Sequence, residues 1–73
     1  MKRYGNRHGR SGVRAYEIGA DSIAVQFAGS DEVYRYSYRS AGRERVEHMK
    51  ALAEAGRGLS TFIARHVRND YER

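Results

Sequence analysis

The spacing of apolar side chains changes character twice along this chain. Val13 to Ile18 is a short run of β-branched and aromatic residues that Gly19-Ala20-Asp21 ends as a turn, so it reads as a strand. From Ser22 to Ala28 the alternation is regular, with Ile23, Val25 and Phe27 on one side and Ala24, Gln26 and Ala28 on the other. One face of that strand is large and apolar; the other is small and open. Gly29-Ser30-Asp31-Glu32 reads as a hairpin connection into Val33 to Arg39, where Tyr34, Tyr36 and Tyr38 repeat at a period of two. The pattern predicts a three-stranded antiparallel meander.

After Ser40-Ala41-Gly42 the period lengthens to that of a helix. Val46, Met49, Leu52 and Ala53 form an apolar stripe, Arg43, Glu44, Glu47, Lys50 and Glu54 fill the remaining surface, and Ser40 is the candidate N-cap. Gly56-Arg57-Gly58 makes a tight elbow, beyond which Leu59, Phe62, Ile63, His66 and Val67 mark a second stripe. The expected fold is α+β: a three-stranded antiparallel meander followed by two short helices packed on one sheet face, with residues 13–73 as a single domain.

The three tyrosines must face either the core or the solvent. Turning Val33, Arg35, Ser37 and Arg39 inward would bury two guanidinium groups without evident partners, which is costly. The reading favoured here points Tyr34, Tyr36 and Tyr38 toward Ile23, Val25 and Phe27, with their hydroxyls at the rim. Arg35 and Arg39 then project from the open face. The alternative is an exposed stacking platform of the kind found on RNA-binding sheets.

Charge sharpens this picture more than composition does. The 73 residues carry a net charge of +5 with 32% charged side chains. Lys2, Arg3, Arg7, Arg10 and Arg14 face no acid within residues 1–14, whereas residues 15–73 hold nine basic and nine acidic side chains. All of the excess therefore belongs to the N-terminal segment, and the rest is neutral. Residues 1–12 contain three glycines and Tyr4 as the one large apolar body after Met1, so they read as a disordered basic arm whose removal would leave the fold intact. Its mixture of Arg, Gly and an aromatic matches segments that hold single-stranded RNA by charge and stacking. A solubilising tail has the same composition.

The order of these features resembles the KTSC domain, a small module found at the C-terminus of some lysyl-tRNA synthetases and as stand-alone bacterial proteins. Tyr34-Arg35-Tyr36 corresponds to its central Tyr-x-Tyr, Tyr16-Glu17 to its Tyr-Asp, and Ile23, Val25 and Phe27 to its alternating apolar strand. Gly58, Phe62 and Arg65-His66-Val67-Arg68 look like the glycine, aromatic and basic-flanked aliphatic of its last helix. Two positions depart from the family pattern: no proline separates Tyr-x-Tyr from the helix, and an expected aromatic-Asn pair reads Phe62-Ile63. RNA binding by that family is inferred from domain context, so the resemblance speaks to fold more than to activity.

Candidate chemistry is sparse. His8, His48 and His66 show no pair at metal-ligand spacing, and His66 reads as a core-edge residue whose ring meets a carbonyl or Tyr71. Glu44 and Glu47 sit among Arg43, Arg45 and Lys50 as an ordinary solvated helix face. No catalytic trio or glycine-rich phosphate loop stands out. The absence of Cys leaves the redox compartment undecided, and neither a signal peptide nor a membrane-length apolar run is present in the sequence. The expectation is a cytoplasmic, non-catalytic module without metal or cofactor. Lys2, Arg3, Arg7, Arg10, Arg14, Arg35 and Arg39 would contact RNA or single-stranded DNA, while Tyr34, Tyr36, Tyr38 and Phe62 would be motif and core residues. A protein-interaction module, such as an inhibitor or adaptor of a nucleic-acid enzyme, would turn the same arginines against an acidic surface. Self-association as a homodimer is a third reading.

Overall fold

The computed structural model of the chain describes residues 1–5 and 12–72. Four strands form one antiparallel sheet in sequence order: β1 (Lys2–Arg3), β2 (Val13–Ile18), β3 (Ser22–Phe27) and β4 (Val33–Ser37). Helical segments follow: α1 (Tyr38–Ala41), α2 (Arg43–Ala55) and α3 (Leu59–Phe62), the last continuing into a π-helical turn at Ile63–Val67. The class is α+β.

The sheet has one strand more than the hydrophobic pattern predicts. Lys2 pairs with Tyr16 and Arg3 with Ala15, and the Tyr4 amide donates to the Arg14 carbonyl at 2.9 Å. This pairing delivers the Tyr4 ring to the core, where it is 3% exposed. Burying such a ring contributes about 1.5–3 kcal/mol, enough to order the few residues that carry it. The expectation of a disordered arm over residues 1–12 is therefore corrected at Lys2 to Tyr4, which belong to the folded domain. Residues 6–11 lie outside the described residues.

The core face of the sheet carries Tyr16, Ile23, Val25 and Tyr36, and the helices lie against it through Val46, Met49, Ala53, Leu59, Ile63 and Val67. On α2, Val46, Met49 and Ala53 recur at i, i+3 and i+7, the geometry of a single buried stripe. Gly56 ends that helix with φ 74°, and its amide donates to the carbonyls of Leu52 and Ala53. Gly58, at φ 79°, opens α3; an elbow with two left-handed residues so close together suits glycine, which has no Cβ to clash. The Arg45 guanidinium donates to the His66 carbonyl at 3.0 Å and ties the π-helical turn to α2.

The strand after the second hairpin ends earlier than its alternation implies. The Ser37 hydroxyl accepts from the Ser40 amide and the Ser40 hydroxyl from the Ser37 amide, both at 3.0 Å, a reciprocal capping box. The chain turns helical at Tyr38, whose amide donates to the Asp21 carbonyl at 2.9 Å. Ser40 thus completes the cap of α1 instead of opening α2. Beyond the π-helical turn the chain runs back along β4, and the Glu72 amide donates to the Arg35 carbonyl at 2.7 Å.

Candidate nucleic-acid interface

Register sorts the predicted arginines between the two faces. Arg3, Ala15, Gln26 and Val33 form one cross-strand row on the face away from the helices, and Glu17, Ala24 and Arg35 form the next. Arg3 and Arg35 are both exposed there, whereas Ala24 between them keeps only 2% of its surface. The Arg35 guanidinium reaches the Ser22 hydroxyl at 3.3 Å. Arg14 is the extra residue of a bulge, since Val13 pairs with Phe27 and Ala15 with Gln26. A bulge re-aims a side chain, and Arg14 is exposed beside this face. Lys2 pairs with Tyr16 and so sits at the margin of the opposite face.

Arg39 does not join them. The early helical turn at Tyr38 carries Arg39 off the sheet onto α1, where it is exposed, so its assignment to the open face is corrected. Arg7 and Arg10 lie outside the described residues.

The three tyrosines separate into three environments. Tyr36 is 1% exposed. Burial, with smaller contributions from Tyr71, Tyr34 and Asp70, pushes its hydroxyl up to about 12. Tyr34 is half-buried, and its hydroxyl donates to Glu32 at 2.7 Å, which raises its pKa. Tyr38 leaves the strand altogether: its hydroxyl donates to Glu47 at 2.6 Å, again raising its pKa, and Lys50 closes the group with a 2.9 Å ion pair to Glu47. Lys50 also donates to the Ala20 carbonyl at 3.1 Å. That network fastens α2 to the turn between β2 and β3.

Phe62 is half-buried, flanked by the rings of His48 and His66 at centroid distances of 4.5 and 4.8 Å. His66 is therefore exposed and stacked on Phe62 instead of meeting Tyr71, and its carbonyl is the group that Arg45 uses. Among the described residues, no cluster of three or more His, Asp or Glu side chains has the arrangement of a metal site.

Tyr71 goes to the other side of the domain, a position that no sequence pattern singles out. It contacts Tyr34 edge-to-face at 4.9 Å and 71°, and Tyr36 at 6.2 Å and 85°; Phe27 continues the array at 5.8 Å from Tyr34. These rings wall a groove of about 350 Å³, whose far side is formed by Ser60, Ile63, Ala64, Arg68 and Asn69. The sequence signal for it is weak: Tyr71 continues the i+4 spacing of Ile63 and Val67, but the helical segment ends at Val67, so that spacing does not place the ring.

Among the described residues no helix is long and apolar enough to cross a membrane. No family model matches the chain, and no curated protein or solved structure gives a significant match.

Proposed function

We propose that this protein is a non-catalytic module that binds single-stranded nucleic acid, RNA in the first instance, through its basic N-terminal segment and the open face of the sheet. One observation carries the reading: the whole net charge of +5 resides in residues 1–14, while the remainder of the chain is neutral. Lys2, Arg3 and Arg14 are exposed on or beside the first two strands, and Arg35 extends the cationic surface along the row that holds Ala24. Arg7 and Arg10 add charge to the same segment of sequence. Guanidinium groups grip phosphate in a bidentate manner, and a loose array of them neutralises a flexible backbone without reading its sequence. The KTSC resemblance of residues 11–71 agrees with this reading as a proposal about kinship. A protein partner with an acidic surface is the second reading, favoured by Val33, which is 49% exposed on the same face as Arg3 and Arg35.

The test is a fluorescence anisotropy titration with single-stranded RNA, single-stranded DNA and duplex DNA across a range of salt. A variant with Lys2, Arg3, Arg7, Arg10 and Arg14 all changed to Gln keeps Tyr4 and hence the core. Its affinity for single strands should fall, with the log-log salt slope flattening by roughly 0.7 for each phosphate that is no longer neutralised. Equal affinity and slope in wild type and variant would remove the N-terminal segment from the interface. No binding by wild type to any nucleic acid would leave the acidic protein partner as the better reading.

A further inference from the structure

The groove between β4 and the π-helical turn lies on the helix side of the sheet, away from the open-face Arg3 and Arg35, and its walls have a chemistry of their own. We infer that it receives one unpaired base of the bound strand, with the base against the rings of Tyr34 and Tyr71 and the phosphate toward Arg68. The inference rests on the nucleic-acid reading above and locates a subsite within it.

Four observations converge on that ligand. First, Tyr34 and Tyr71 are held edge-to-face at 4.9 Å with Phe27 beyond Tyr34, and both half-buried residues line the groove. Aromatic walls of this kind accept any base, because every base has a π-face. Second, the opposite wall is polar where a nucleotide is polar: Ser60 offers a hydroxyl, and Arg68 is exposed with a guanidinium suited to phosphate. The Glu32 carboxylate on the Tyr34 hydroxyl puts negative charge beside that ring and so disfavours a phosphate there, which fixes the sense in which the ligand enters. Third, about 350 Å³ lies at the low end of the ~300–1,000 Å³ of small-ligand sites, room for one nucleotide and too little for a folded partner. Fourth, Gly12, the first described residue after the basic stretch, borders this lip, since a Cβ on it would lie 3.6 Å from the Ser60 hydroxyl and 3.9 Å from the Phe27 ring. The described end of that stretch of sequence therefore borders the groove. The wall from Ile63 is a π-helical turn, a rare geometry that recurs at functional sites.

RNA and DNA share this chemistry, so the experiment compares them. The full chain is titrated with short oligo(A) RNA, oligo(dA) DNA and an abasic DNA strand of equal length, as wild type and as Tyr71→Ala, Arg68→Ala and Ala64→Gln. Ala64 is an exposed groove residue, so Ala64→Gln obstructs the site while leaving the core packing alone, and it stays informative if Tyr71→Ala melts. Base stacking on an aromatic side chain corresponds to roughly 5- to 150-fold in affinity. Wild type should therefore prefer oligo(A) or oligo(dA) over the abasic strand, and Ala64→Gln and Tyr71→Ala should lose that preference while binding the abasic strand as before. Arg68→Ala should weaken binding to all three strands. Where the base preference is present and lost in those two variants, the tighter of oligo(A) and oligo(dA) assigns the natural strand of the pocket. Equal binding of abasic and base-bearing strands, with a salt slope that still depends on the N-terminal charges, overturns the pocket and leaves the nucleic-acid reading intact. Failure of wild type to bind any strand overturns both.

Discussion

The Leu59 amide donates a 3.3 Å hydrogen bond to the Tyr4 hydroxyl, joining positions 55 residues apart. Leu59 is the first residue of α3, and its N-cap Gly58 has no side chain with which to satisfy the open amides of the first turn. Tyr4 supplies that acceptor from across the molecule. The first strand thus completes a helix start as well as the sheet.

Removing that acceptor should be measurable in isolation. Tyr4→Phe keeps the buried ring and strands the Leu59 amide, a loss of about 1 kcal/mol. Tyr4→Ala should cost about 3–5 kcal/mol, as for other buried aromatic truncations. Urea melts of the two variants give both numbers. A Tyr4→Ala protein as stable as wild type would mean that the N-terminal strand is dispensable.

Tyr36 and Arg35 are neighbours in sequence on opposite faces of β4, so their substitution should give opposite results. Tyr36→Ala empties a site that is 1% exposed and should cost about 3–5 kcal/mol. Arg35→Ala removes one 3.3 Å hydrogen bond to Ser22 on the open face and should change stability by less than about 0.5 kcal/mol while weakening binding to single strands. Thermal melts followed by an anisotropy titration separate the two roles. A stable Tyr36→Ala variant would contradict the packing described for β4.

The raised pKa of Tyr36 predicts an alkaline limit to stability. Burial favours the neutral phenol, so the folded value of about 12 exceeds the unfolded value of 10.0. The stabilising contribution is complete below pH 10 and is lost as pH rises from there toward 12. Tyr36→Phe, which cannot ionise, should shift the alkaline unfolding midpoint upward, provided that the loss of the hydroxyl is corrected for at neutral pH. Circular dichroism during a base titration reads the midpoint. An unchanged midpoint would assign the alkaline transition to other groups.

Periodicity makes three strands and the buried stripe of α2 legible, because Ile23, Val25 and Phe27 and then Val46, Met49 and Ala53 obey the geometry of their elements. It misses β1, since two residues cannot display a period and Lys2 and Arg3 have no apolar face; the burial of Tyr4 is a tertiary gain that no local window contains. Tyr38 and Arg39 are misplaced by periodicity for a different reason. Their alternation continues that of the strand, but the Ser37 and Ser40 hydroxyls offer the backbone a competing helical turn, and Glu47 offers the Tyr38 hydroxyl a partner 9 residues away. The open-face position of Arg35 follows from alternation. The aromatic groove does not, because it depends on Tyr71 folding back against Tyr34.

The return of the chain along β4 also bears on how copies of this protein meet one another. An unpaired strand margin is a template on which a second molecule can add its own backbone, and repeated addition leads toward fibrils. Here the Glu72 amide already occupies the Arg35 carbonyl, so recruitment on that side would have to displace a bond the molecule makes to itself. The margin at β1 is two residues long, and both are cations that repel their counterparts in another copy. High concentration should therefore drive these molecules apart at their sheet margins before it drives them into register.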